Sequence, residues 1–165
     1  MVSRRIGIVY GGGNVGLMGT LADAALAAGG DVIGVIPKAL VAKEVCHSGL
    51  SDLRVVESMH ERKALMAELS GAFVALPGGF GTFEEFCEVL TWTQLGLHRK
   101  PCGLLNVAGY YDPLLALFDH AVAEQFVKPV HRGMVIAETQ PETMVERILA
   151  VDVPAVDKWI GRQQT

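Results

Sequence analysis

The sequence predicts an α/β fold: a Rossmann-like, doubly wound and mostly parallel sheet with helices on both faces. Two observations carry that prediction. Short β-branched apolar runs alternate with longer stretches of helical periodicity. Strands separated in this way pair in parallel, and the helices between them cover both faces. Two glycine clusters stand directly after strands, where such sheets hold their ligands.

The first strand is read at residues 6–10 and runs straight into Gly11-Gly12-Gly13. Residues 15–28 carry Leu17, Leu21, Ala24 and Ala28 at helical spacing and stop at Gly29-Gly30, a natural C-cap. Residues 32–36 and 53–56 are the next strands, and 59–69 the next helix. A fourth strand at 72–76 ends at Pro77-Gly78-Gly79, and a helix follows over 82–97. After a strand at 103–107, Asp112-Pro113 opens a helix to about residue 125, with a capping residue and Pro at the first position. A strand at 134–137 and a short helix at 141–149 complete the pattern. No linker, repeat or low-complexity stretch interrupts it, so residues 1–165 are expected to form one domain. Both glycine clusters are expected on the carboxyl edge of the sheet.

Half of the residues are apolar, 19 are glycine and only 7% are aromatic, a globular balance far from that of a disordered chain. The net charge is −4 and no Lys/Arg run is present, so neither nucleic acid nor an anionic membrane is expected as a partner. An anionic ligand must then be held by local devices. Cys46, Cys87 and Cys102 are odd in number and contain no C-x-x-C pair, which argues for reduced thiols and against a disulfide framework or zinc ribbon. The chain starts without a signal-peptide pattern and no apolar run approaches about 20 residues, so a cytoplasmic protein is expected.

Three segments carry chemistry. In YGGGNVGLMG, Gly11, Gly13 and Gly16 form G-x-G-x-x-G, the dinucleotide fingerprint. That reading also needs an acid at the end of the second strand, whereas Asp31 precedes it; a P-loop needs a Lys that does not follow. The bland alternative is that these glycines only let a helix start close to the sheet. In PGGFGTFEE, Gly78, Gly79 and Gly81 allow a tight turn with free amides, and Thr82 opens a helix whose positive end attracts an anion. The competing reading is a capping box, because Thr82-x-x-Glu85 has that signature. In MHERK, Arg62 and Lys63 sit near a helix start, against the macrodipole preference, and hint at an anionic partner; the alternative is a pair of solvated cations. His60-Glu61 lacks the second His of a zinc helix, because residue 64 is Ala, so no metal is expected. Trp92, Leu95 and Leu97 read as core or interface residues.

YGGGNVGLMG, MHERK and PGGFGTFEE, in this order and followed by TWTQLGLHRKP and GYYDPLL, resemble the signature of the Lonely Guy (LOG) family of cytokinin riboside 5′-monophosphate phosphoribohydrolases. The resemblance covers roughly residues 5–150. It implies a nucleotide-binding domain that releases free base and ribose 5-phosphate from a purine nucleoside 5′-monophosphate, with no cofactor. It assigns Arg62 and Glu85 as the catalytic pair. Substrate contacts are expected from Glu44, Lys63, Gly78, Gly79, Phe80, Gly81, Thr82, Glu84 and Thr91, and from Gly12 and Gly13. It also implies a homodimer with the site near its interface. Relative to the family's pattern, the opening strand, a small-residue loop and a helix are expected to be missing, since Met1 stands just before YGGG. Many family members have carried a lysine decarboxylase label, which no Schiff-base lysine context supports here. The alternative reading is a non-enzymatic nucleotide or molybdenum-cofactor carrier on the same fold, with a nicotinamide oxidoreductase third.

Overall fold

The computed structural model describes residues 1–41, 46–50 and 52–154. They fall into two compact units, Met1–Ser70 and Gly71–Thr165. Every strand pair is parallel, as strands joined through helices require, and the architecture is α/β and Rossmann-like.

In the first unit β1 (Ile8–Tyr10), β2 (Val32–Pro37) and β3 (Asp52–Val56) lie in the order β1-β2-β3. Ile8 registers with Val32, and Gly34 with Leu53. The helices are α1 (Leu17–Ala27), the single turn α2 (Lys38–Val41) and α3 (Met59–Leu69). Ala22 and Ala25 of α1 pack against Ile8, Tyr10 and Val32, small side chains that let the helix lie close to the sheet. β1 delivers the chain to Gly12, which has φ +77° and whose missing Cβ would stand 3.2 Å from Leu53 Cδ1. Gly12→Ala should therefore lose about 1–2 kcal/mol in chemical denaturation, the cost of a left-handed L-residue. An unchanged midpoint would contradict this account of the turn.

The second unit repeats the pattern with β4 (Phe73–Ala75), β5 (Cys102–Leu105) and β6 (Val135–Glu138) in the order β4-β5-β6. Its helices are α4 (Phe80–Gln94), α5 (Asp112–Ala123), the single turn α6 (Pro129–Arg132) and α7 (Pro141–Ala150). Phe86 and Val89 of α4 meet Cys102, Leu104, Tyr111 and Val135 in one core cluster. Met144 of α7 covers the other side of β5, where a Cβ on Gly103 would stand 2.6 Å from its sulfur. Among the described residues no helix is long and apolar enough to cross a membrane.

The six expected strands and five long helices all occur, with ends that coincide or differ by at most three residues. α2 and α6 have no counterpart in the sequence pattern, because a single turn shows no periodicity. The helix expected from residue 82 starts at Phe80 instead, which changes what Thr82 and Glu85 can do.

Candidate functional site

The glycine loop of the first unit is built around Arg62. α3 is capped by Ser58, whose Oγ accepts the Glu61 N–H at 3.1 Å, while the Glu61 carboxylate accepts the Glu57 N–H at 2.7 Å. The acid of the first turn is thus spent on the helix's own start, and Arg62 is free to reach the strand ends. It is only 6% exposed. Its Nε donates to the Val35 carbonyl and its Nη2 to the Gly11 carbonyl, each at 3.1 Å, and Nη1 lies 3.7 Å from Met59 Sδ. A Cβ on Gly11 would stand 1.9 Å from Nη2, so the close approach of the guanidinium requires glycine at this position. The loop is tied on its far side as well: His47 N–H donates to the Gly12 carbonyl at 3.2 Å, and Gly13 bridges Cys46.

Arg62 is therefore not a solvated surface cation. Carbonyl dipoles and a thioether surround it, with no carboxylate in hydrogen-bond contact among the described residues. A buried charge met only by neutral groups is costly, and an anion beside it would lower that cost. Lys63, the next residue along α3, is half-buried.

The dinucleotide fingerprint fares less well. Gly16 is the N-cap of α1 and makes no side-chain cap. Asp31 lies at the amino end of β2, where its carbonyl accepts the Ile8 N–H at 2.9 Å. A nicotinamide ribose would need an acid beyond the opposite end of that strand, which closes at Pro37 and continues into Lys38, itself ion-paired with Glu57. Glu44 lies outside the described residues.

In the second unit the turn Pro77–Gly79 joins β4 to α4. Gly79 is the N-cap, no side chain caps the helix and its first turn contains no acid. Helix geometry leaves the amides of Phe80, Gly81 and Thr82 without a carbonyl inside the helix, since the first such bond is Phe83 N–H to the Gly79 carbonyl at 3.2 Å. Cβ atoms on Gly79 or Gly81 would meet nothing within 4 Å, so the backbone is open to approach there. Phe80 projects from this turn with 91% of its surface exposed, edge-on to Phe83.

The capping-box reading of Thr82 and Glu85 is overturned. It needs Thr82 at the N-cap, but Thr82 is the third helical residue. Its side chain lies over Gly78 instead: a Cβ on that glycine would stand 2.2 Å from Thr82 Oγ1. Ser58-x-x-Glu61 carries the same signature and does cap its helix. Glu84 is exposed and Glu85 half-buried on the second turn of α4.

Thr91 is not brought to the glycine turn. It stands about 18 Å along the helix axis from Gly79, donates to the Cys87 carbonyl at 2.7 Å, and lines a cavity of about 170 Å³ with Cys87, Phe118 and His131. Trp92 packs against the core, whereas Leu95 and Leu97 are 45% and 70% exposed.

Sequence reasoning missed the residues that hold the turn from below. Tyr111 Oη donates to the Leu76 carbonyl and Tyr110 Oη to the Gly78 carbonyl, each at 2.5 Å. The signal available was GYYDP itself, whose tyrosines have no reason to be adjacent in an amphipathic pattern.

The family model described as "Possible lysine decarboxylase" matches residues 18–148. The chain is 53% identical over 148 residues to a probable cytokinin riboside 5′-monophosphate phosphoribohydrolase of Oryza sativa subsp. japonica, covering 90% of this chain and 65% of that protein. It is 60% identical over 133 residues to the cytokinin riboside 5′-monophosphate phosphoribohydrolase of Rhodococcoides fascians, 80% of this chain and 67% of the relative. A third such protein, of Arabidopsis thaliana, is 49% identical over 148 residues, 90% of this chain and 70% of its own length. The chain thus spans about two thirds of the length of the curated relatives it matches.

Proposed function

The chain belongs to the Lonely Guy (LOG) family, and from that premise we propose that it is a phosphoribohydrolase, cleaving the N-glycosidic bond of a purine riboside 5′-monophosphate to free base and ribose 5-phosphate. The observation that carries the reading is the first turn of α4: a glycine N-cap, no capping side chain and no acid. Three amides and the positive end of a fifteen-residue helix are left for one anionic group. The 5′-phosphate is that group. The relatives' names, all of which specify a riboside 5′-monophosphate, support the same assignment. The decarboxylase description of the family model finds no support in those names.

Breaking the glycosidic bond develops positive charge on the ribose while water attacks the anomeric carbon. We assign to Glu85 the stabilisation of that charge or the activation of the water, and to Arg62 the orientation of the substrate. Lys63, Phe80, Glu44 and Thr91 are assigned as substrate contacts on the family resemblance, and Gly12, Gly13 and Glu84 are proposed as further contacts. The adenine base, plain as in AMP or carrying an N6 substituent, departs as the free base. Chromatography of reactions with AMP and N6-isopentenyl-AMP tests the proposal: base and ribose 5-phosphate should appear in equal amounts. Nucleoside with inorganic phosphate would refute it.

We further propose a cytoplasmic homodimer. Leu95 and Leu97 at the end of α4, and Phe126 at 87% exposure after α5, are the kind of apolar surface that an isologous interface covers. Light scattering at micromolar concentration should return twice the chain mass, and a monomeric mass would contradict the dimer.

A further inference from the structure

We propose that Tyr110 and Tyr111 are positioning residues for the reaction, holding the backbone of the Pro77–Gly79 turn so that the Gly79 amide is aimed at the substrate phosphate. This rests on the phosphoribohydrolase reading given above.

In a trans peptide the C=O of one residue and the N–H of the next point in opposite directions, and the described backbone contains no cis bond. Tyr110 Oη holds the Gly78 carbonyl at 2.5 Å, so the Gly79 N–H in the same plane is turned away from the tyrosine. Glycine at 78 and 79 has no side chain to restrict that plane, and an unheld turn would sample several orientations. The plane before it has a related weakness: Pro77 carries no N–H, so the Leu76–Pro77 peptide can be anchored only through its carbonyl. Tyr111 Oη supplies that anchor at 2.5 Å.

The clamp is itself braced. Tyr111 is 1% exposed. Its N–H donates to Asn106 Oδ1 at 2.7 Å, Asn106 Nδ2 donates to Asp112 Oδ1 at 2.7 Å, and Asn106 N–H donates to the Glu138 carbonyl of β6 at 2.8 Å. The two tyrosine rings meet edge to face, 5.1 Å apart. Burial, with the neighbouring Tyr110, pushes the Tyr111 phenol up to about 12, so its donor proton is retained at any working pH. Neither hydroxyl has to touch substrate. A phosphate contact is made alike in the ground state and in the transition state, so its loss raises KM and leaves kcat in place.

The test compares wild type, Tyr110→Phe and Tyr111→Phe by amide hydrogen exchange of the ligand-free protein and by kinetics with AMP. Tyr110→Phe removes one hydroxyl from a part-exposed ring. It should speed exchange across residues 78–82 by about tenfold and raise KM about five- to tenfold, with kcat within about twofold and the melting temperature nearly unchanged. Tyr111→Phe should do the same and also lower the melting temperature, because the hydroxyl it removes serves a carbonyl at the end of a core strand. Unchanged exchange at 78–82 in both variants would overturn the clamp, as would faster exchange with an unchanged KM. If wild-type protein releases no base from AMP or its N6-isopentenyl analogue, the phosphoribohydrolase reading fails, and the exchange data alone decide whether the tyrosines hold the turn.

Discussion

Glu85→Gln is expected to leave the fold intact and to lower the release of ribose 5-phosphate by about a hundredfold or more, the scale of one positioned acid/base group. The substitution keeps the length and shape of the side chain and removes only its negative charge. Two roles predict different outcomes. A residue that caps a helix through hydrogen bonds tolerates Gln, because Gln also occurs at that position of a capping box. A carboxylate that faces a developing ribose cation does not. The structure weakens the capping alternative before the experiment, since α4 begins at Phe80 with Gly79 as its N-cap and Thr82 lies against Gly78. Nucleotide affinity should change little, because the amides of the first turn remain. Melting temperature, affinity and turnover measured on one preparation separate these effects. A fully active Glu85→Gln protein would exclude the catalytic assignment.

Arg62→Met is expected to show the largest loss of stability, about 2–4 kcal/mol, together with loss of activity. Met approximates the apolar stem and removes both donors, so the buried Val35 and Gly11 carbonyls are left unsatisfied, each at a cost of about 1–3 kcal/mol. Replacing a charge with an apolar side chain removes a desolvation penalty, which offsets part of that loss. Arg62→Lys should also be impaired, because one ammonium cannot reproduce the fork that reaches two carbonyls from Nε and Nη2. If the guanidinium also meets the substrate's negative charge, AMP should raise the melting temperature of wild type and not that of Arg62→Met. Denaturant midpoints within about 0.5 kcal/mol of wild type would contradict the structural role. Equal ligand-induced shifts would contradict the role in binding.

Much of the fold could be read directly because the α/β pattern is local. Each strand announces itself as a short apolar run, β-branched in all but β5, and each long helix carries enough turns for periodicity to show. The single turns at Lys38–Val41 and Pro129–Arg132 cannot be seen this way. The glycine turn after β4 is legible in PGGFGT, although the helix expected from residue 82 starts two residues earlier, at Phe80. The sequence carries two capping signatures of the same type, Ser58-x-x-Glu61 and Thr82-x-x-Glu85, and only tertiary context selects between them: Thr82 folds onto Gly78, whereas Ser58 stands at the N-cap and accepts the Glu61 N–H. The burial of Arg62 was invisible for a related reason. Its partners are backbone carbonyls at Gly11 and Val35, 51 and 27 residues away, and carbonyls leave no trace in composition. The Tyr110 and Tyr111 contacts, 32 and 35 residues from their acceptors, are of the same kind.

The chain is expected to break a glycosidic bond while leaving the 5′-phosphate in place. A ³¹P NMR time course on AMP, with adenine quantified in the same tube, tests it most directly. The AMP phosphomonoester resonance should be replaced by that of ribose 5-phosphate, with one adenine released per ribose 5-phosphate and no inorganic phosphate. An inorganic phosphate signal rising with adenosine, or an unchanged spectrum for both AMP and N6-isopentenyl-AMP under conditions where the protein is folded, would contradict it.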